Sequence, residues 1–502
     1  MASKAILPYY SKVAQVAQDY YAPTAILQGS ISEYTPNGIP VATLYVFLSR
    51  VDPWANGEFQ PDTPEQTQSY IKSVYKNMIV AKKVQQIDVA GVIARVDWTY
   101  GTVYDFYQDN VDMLALDAFG GNVYNFYVKN KYNQYWKCLW NNGGGTARDE
   151  PYFTPATYGQ NNNIYTSNID GYKWKYMFTV NTGDANKFQD SVWSPVALGA
   201  LSTSTTPNPL QPINPSLPVG YGGVEVINVT NSGHSYGLGN TYLHISGDGT
   251  GLDATAYIYV PTGEIVDIVV NNPGQNYTWA NITIYVNDGG TANGATAIAP
   301  ISPTAGHGSD PSSELGCHNF MITSKFEGSD INGVVPTNIE YRQLGVLINP
   351  SANDTLQIIN EVPQYFPANS DIYTVYTQIP VIPGSGSFIN DEIIFQGASN
   401  LSDAENLVYA NTLGTTSSGF IGTVLNFDST NNVINVINTV GTVSPSLPVY
   451  GSTSGTIRTV SPNGATLPVI IPFSGYISYI ENRTGITRSA DGIEQFKIVL
   501  GY

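Results

Sequence analysis

The sequence predicts a mainly β chain of α+β type, with a multi-domain, β-sandwich-like core, a small N-terminal helical part and inserted β domains. Three observations predict it. Over most of the chain, short apolar runs are separated by Gly, Asn, Asp and Pro, the pattern of strands and turns. The 36 Tyr residues suit pleated, half-buried surfaces. Helical spacing of apolar residues is confined to about the first sixth of the 502 residues.

The elements follow in order. Tyr9, Val13, Val16, Ala17 and Tyr20 recur at helical spacing, and Pro23 ends that run. Residues 41–48 read as a buried strand, which Pro53 stops because proline cannot donate to a ladder. A second helix has Thr63 as N-cap, Pro64 at its first position, Glu65 near the dipole and Gln66 completing a capping box. Its apolar face is Tyr70, Ile71, Val74, Tyr75, Met78 and Ile79. Residues 123–128 and 134–140 form a hairpin through a polar turn at 129–133. A long polar loop runs from Asn141 to about Asn168, and 202–218 is a linker by composition.

Residues 226–256 resemble residues 267–297 with a shift of 41. The turn Asn231, Ser232, Gly233, His234, Ser235, Tyr236 returns as Asn272, Pro273, Gly274, Gln275, Asn276, Tyr277. Two copies are too few for a solenoid, so they read as one compact β insert built from two similar hairpins. A second β-rich stretch covers about 381–468, with 388–395 as its clearest strand pair.

Charge excludes some functions. Only 12% of residues are charged, and 21 Lys+Arg against 39 Asp+Glu leave −18. Nucleic-acid binding and a polybasic membrane patch both need a basic surface that this chain lacks. No window reaches the roughly 18 apolar residues of a membrane span, and no secretory signal opens the chain. Synthesis and folding in a cytoplasm are expected. Cys138 and Cys317 read as buried free thiols.

Candidate chemistry is sparse. His234, His244, His307 and His318 show no metal-site spacing. The loops 247–253 and 287–293 are oxygen-rich, but Asp-Gly is ordinary turn chemistry and neither fits an EF-hand. Gly233, Ser235 and Gly237 match the string of a hydrolase nucleophile elbow, yet a β repeat surrounds them where a strand and a helix are needed. No catalytic, cofactor-binding or metal-ligating residue is assigned, and no cofactor is expected.

Short aromatic and charged clusters point elsewhere. They are Arg50, Val51, Asp52, Pro53, Trp54; then Ala94, Arg95, Val96, Asp97, Trp98; then Tyr135, Trp136, Lys137, Cys138, Leu139. Asp170, Gly171, Tyr172, Lys173, Trp174, Lys175 and Tyr176 follow, with Tyr341, Arg342, Gln343, Leu344, Gly345 running on to Pro350, and Tyr479, Ile480, Glu481, Asn482, Arg483 last. In this order the set resembles the baseplate wedge proteins, products of gene eight, of T-even-type contractile-tailed bacteriophages. The match covers roughly residues 1–200, 317–350 and 474–502, about half the chain.

The resemblance implies a wedge-family core from 1–205 with 315–350 and 474–502, a β module inserted at 219–302, and a second inserted β-rich region at 352–473. It further implies a non-enzymatic virion part in the tail baseplate, assembled in the bacterial host cytoplasm. Such a protein homodimerises and binds other wedge proteins, the products of genes six, seven and ten. It supports the baseplate's conformational switch at infection. Arg50, Asp52, Trp54, Arg95, Asp97, Trp98, Trp174, Arg342, Glu481 and Arg483 are the candidate interface or core anchors, since Arg and Trp are enriched where partners dock. Arg50 with Asp52, Arg95 with Asp97, and Glu481 with Arg483 sit two apart, on one face of a strand. The alternative is a receptor- or carbohydrate-binding phage tail protein, for which the Gly/Asn/Thr-rich repeat and the aromatic load speak.

Overall fold

The computed structural model describes residues 44–55, 57, 59, 61–116, 122–154, 163–196, 221–238, 241–286, 294–327, 335–351, 357–359, 362–364, 372–411, 419–489 and 491–501. The first expected helix, the linker 202–218 and the loop 287–293 lie outside these. Regular structure in the described residues is chiefly strand, in several antiparallel sheets, with few helices. They divide into two compact units. One holds Ala90–Met321 and residues 499–501, and the other holds residues 44–89 and Ile322–Ile498.

In the second of these units, every residue of Leu44–Ser49 is buried, so this strand is apolar on both faces. It is the middle strand of a five-stranded sheet ordered Ile372–Thr374, Met78–Lys83, Leu44–Ser49, Ile339–Ile348, Tyr476–Arg488. Its ladder with Ile339–Ile348 runs without a slip from Leu44 opposite Ile348 to Ser49 opposite Gln343. Gly345 is required there, because a Cβ would lie 2.3 Å from the Tyr479 carbonyl oxygen and 2.5 Å from the Phe47 ring.

The helix Gln68–Lys76 packs Tyr70, Ile71, Val74 and Tyr75 on this sheet. It starts later and ends earlier than the sequence predicts, since Met78 and Ile79 lie past the Asn77 cap in the strand Met78–Lys83. Thr67, not Thr63, is the N-cap, with its hydroxyl accepting from the Tyr70 amide. The cause is tertiary: the Asn482 side chain donates to the Asp62 carbonyl, and residues 61–66 stay non-helical.

The same unit carries a six-stranded sheet ordered Thr377–Pro380, Val433–Gly441, Phe420–Asp428, Ile393–Gln396, Pro448–Gly451, Ile457–Thr459. Ile379, Ile394, Val424, Ile434, Val436, Val449 and Val460 form its own core. Residues 388–392 are not strand, contrary to expectation. Asp391 has φ 66, and the Glu392 carboxylate gathers the amides of Ile389, Thr453 and Ser454 into a turn. Leu401–Asn411 is a helix outside the first sixth, started by the Asn400 side chain on the Asp403 amide, with Ala404 and Val408 buried. Its short, weak period hid it among Asn and Ser residues.

In the other unit, Tyr127–Lys129, Gln134–Trp140, Lys173–Thr179 and Ile164–Thr166 form a four-stranded sheet. The hairpin forms as predicted, though its first strand is shorter, and Ile164–Thr166 interrupts the expected long loop. Gln134–Trp140 is buried throughout. One face packs Tyr135, stacked on Phe178 at 4.7 Å, and the other packs Trp136, Cys138, Trp174 and Tyr176. A short helix, Thr182–Phe188, is capped by Asn181.

The repeat forms a pair of facing sheets around one apolar core that includes Val224, Ile227, Ile265, Ile268 and Ile282. Copy one contributes Asn228–Asn231, Thr241–Gly247 and Thr250–Tyr259; copy two contributes Glu264–Gln275, Ala280–Val286 and Thr296–Ile298. They are not two hairpins. The middle strands pair with each other, and the first strand of each copy pairs with the third strand of the other. Matched positions behave alike. Tyr236 donates its amide to Gly263 and Tyr277 donates to Gly222, while Ser235 (φ 67) and Asn276 (φ 63) share the left-handed region. Interlocking lets each copy cover the other's apolar face.

Candidate functional site

The predicted anchors fall in different settings. The strand Leu44–Ser49 ends where Arg50 takes φ 60. Arg50 does not pair with the Asp52 carboxylate. Its guanidinium donates to the carbonyls of Asp52 (3.1 Å) and Pro53 (3.2 Å) and lies 4.1 Å from the Trp54 ring centre. Asp52 is exposed. Trp54 is buried, and its Nε1 donates to the Arg483 carbonyl at 2.7 Å. The Arg342 amide donates to the Arg50 carbonyl at 2.9 Å, and its guanidinium reaches the Val51 carbonyl and the Glu340 carboxylate. Three segments from distant parts of the sequence, at 50–54, 342 and 481–483, thus meet at one loop. Glu481 and Arg483 form a half-exposed pair at 2.8 Å.

Beside this loop is a cleft of about 190 Å³ lined by Val51, Asn338, Ile339, Glu340, Asn390, Asp391 and Leu425. Partial burial raises the Asp391 carboxyl above its ordinary value, and the nearby charges of Asp52 and Glu340 add to this against Arg342. The polar groups lining the cleft are the Glu340 and Asp391 carboxylates and the Asn338 and Asn390 amides.

Arg95 and Asp97 make the predicted pair, with Nη2–Oδ2 at 2.9 Å, and Lys129 joins Asp97 at 3.2 Å. Burial would raise the Asp97 carboxyl, but hydrogen bonds from Arg95 and Lys129 hold it below its ordinary range. Trp98 is half-buried at the rim of the aromatic core. Trp174 is fully buried against Tyr104 and Tyr172, so it is a core residue and unavailable to a partner.

Sequence reasoning missed a buried charge network. The alternation of Tyr172, Trp174 and Tyr176 against Lys173 and Lys175 holds, but the lysine face is covered, not solvated. Lys175 meets Glu225 at 2.6 Å, and Lys137 meets Glu314 at 2.8 Å, all four side chains being buried. Lys173 meets Asp267 at 2.7 Å and the Ile227 carbonyl at 3.1 Å. Glu225 and Asp267 both lie in the module at 219–302, so these pairs fasten it to the strand Lys173–Thr179. Glu314 also accepts from the Gly308 amide at 2.7 Å, and His307 Nδ1 lies 3.6 Å from it.

Burial alone would raise Glu314, but the Lys137 charge and His307 bring it down to about 2. Burial lowers the Lys137 ammonium and the His307 imidazole from their ordinary values. Burial would raise Glu225 too, but the charge and hydrogen bond of Lys175 together with His307 bring it below its ordinary value. The signal that marks this network is a lysine inside an unbroken aromatic strand, which needs a buried carboxylate partner.

Other candidates resolve into local structure. Cys138 and Cys317 are buried free thiols, and burial pushes Cys317 up to about 12. Ser235 occupies the repeat turn, and the next described element is the strand Thr241–Gly247. Asp248 accepts from the Thr278 and Trp279 amides, which makes the loop after Gly247 a turn. Among the described residues, no three His, Cys, Asp or Glu side chains are placed to share a metal ion, and no helix is long and apolar enough to cross a membrane. No protein-family model and no curated protein matches this chain.

Proposed function

We propose that this chain is a structural component of the baseplate wedge of a contractile phage tail. It homodimerises and binds other wedge proteins, without a catalytic step, and so belongs to the virion. The observation that carries the reading is the meeting of Arg50, Trp54, Arg342 and Arg483 at one loop. These residues come from three of the motifs on which the resemblance rests; parts of the stretches between them build cores of their own, while Ile372–Thr374 joins the five-stranded sheet of the motifs. Few charges and many Tyr, Asn and Thr side chains suit broad, wet contacts between subunits.

The test is assembly. The purified chain should run as a dimer by light scattering and join a larger complex with other wedge proteins. In assembled particles it should map to the baseplate in a copy number that follows the baseplate's rotational symmetry. A monomer that ignores every wedge component and is missing from the baseplate would sink the proposal.

A further inference from the structure

The sheet made by Asn228–Asn231, Thr241–Gly247, Ala280–Val286 and Thr296–Ile298 has one face on the repeat's core and one face open. Across the open face, Tyr242 stands opposite Tyr285, His244 opposite Thr283 and Ser246 opposite Asn281. The next strands add Thr296, Ile298 and Thr230, and the hydroxyls of Thr230 and Thr296 lie 2.7 Å apart. Tyr242 and Tyr285 are 42% and 44% exposed, and their rings stack at 5.7 Å with 24° between planes.

The charge on this face decides what it fits. None of these nine residues is Lys, Arg, Asp or Glu. No Lys or Arg occurs anywhere between Lys187 and Lys325. The module's described acids are engaged elsewhere: Glu225 and Asp267 on buried lysines, Asp248 on the Thr278 turn, Asp253 on Asn271 and Glu264 on Thr262. A face without cations cannot hold a phosphate, sulfate or nucleic-acid backbone. Two adjacent aromatic rings beside a row of hydroxyl, amide and imidazole groups match a ligand with an apolar C–H face and a rim of hydroxyls.

We propose that this face binds a neutral oligosaccharide, with pyranose rings stacking on Tyr242 and Tyr285 and sugar hydroxyls meeting His244, Asn281, Thr283 and Thr296. The proposal rests on the repeat module alone and not on the wedge reading. It gives the alternative reading, a carbohydrate-binding tail protein, a definite address.

The experiment uses the full chain against neutral oligosaccharides of glucose, galactose and N-acetylglucosamine, with dextran sulfate as the anionic probe. At least one neutral oligosaccharide should bind, with little effect of salt, and dextran sulfate should not. Tyr242→Ala with Tyr285→Ala should weaken binding at least about tenfold, while the paired Phe substitutions should retain most of it, because stacking needs the ring and not the hydroxyl. Thr283→Asp, which keeps both rings, should weaken binding to neutral sugar because its carboxylate would take the His244 imidazole opposite it as a partner. Binding to dextran sulfate alone, no binding to any neutral probe, or binding indifferent to both the Ala pair and Thr283→Asp would overturn the proposal. So would a Tyr pair whose loss abolishes self-association and leaves sugar binding unchanged. Localisation in the particle tests the wedge reading separately.

Discussion

Two threonines a helical turn apart illustrate how small the margin is at the scale of one residue. Thr63 has the better local sequence for a cap, but Thr67 caps the helix Gln68–Lys76. Thr67→Ala should therefore cost about 1 kcal/mol, and Thr63→Ala almost nothing. Reversible thermal melts of both variants check this; equal shifts would contradict the assigned cap. The buried network sets larger stakes. Lys175→Met leaves the buried Glu225 carboxylate without its ammonium partner and should cost about 3–5 kcal/mol by denaturant titration.

The sign of the pH effect follows from the carboxyls. Glu314 titrates near 2 in the folded chain, below its unfolded value. Its contribution is thus complete above the ordinary carboxylate range and drains away as pH falls toward about 2. Glu314→Gln should flatten that acid limb of the stability curve. An unchanged limb would place the acid sensitivity elsewhere.

At the scale of the element, the repeat carries the clearest expectations. Gly222 and Gly263 are 41 apart, and both have φ +68. A Cβ at Gly222 would lie 2.3 Å from the Tyr277 carbonyl oxygen, and one at Gly263 would lie 2.7 Å from the Tyr236 amide. Gly222→Ala and Gly263→Ala should each destabilise by roughly 1–3 kcal/mol, through strain and overlap together. Comparable losses in calorimetry at the two sites would follow from their matched roles.

Deletion of 219–302 tests a different point. From composition the module looks separable, since loop closure depends weakly on length. The buried pairs argue otherwise, because deletion strands Lys173 and Lys175. The simple deletion should give little soluble protein, and adding Lys173→Met with Lys175→Met should recover part of it. A soluble, native-like simple deletion would show that these lysines reach water unaided.

The existence of the hairpin near 123–140 and of a helix within 63–79 was legible in the sequence, because turn chemistry and apolar spacing are local; their bounds were not, since the helix is only Gln68–Lys76 and the first hairpin strand only Tyr127–Lys129. The exchange of strands between repeat copies was not. Local alternation says which side chains face inward, but not which strand lies alongside.

At the scale of the whole molecule, assembly should depend on shape and aromatic area more than on charge. With 12% of residues charged, and exposed ion pairs weak, raising salt should barely shift the dissociation of the proposed dimer. Sedimentation at low and high salt checks it. A dimer that dissolves in salt would point to an electrostatic interface.

The sequence by itself determined the β class, the repeat and its period, the buried thiols, and the alternation of aromatic and lysine side chains over 172–176. Each is a local or compositional property, set by pleat, turn chemistry and residue type. Only the tertiary structure decided that both faces of the strand Lys173–Thr179 are covered and that its lysines meet Glu225 and Asp267. It also decided that Trp174 is core and that Arg50 serves Trp54 and two carbonyls in preference to Asp52. The lysine pairings and the seat of Trp54 depend on segments between about 50 and 430 residues apart in the chain, as with Glu225 against Lys175 and Trp54 against Arg483, while Arg50's choice is made within four residues by a turn with φ 60. No periodicity within one segment records what another segment will lay over it.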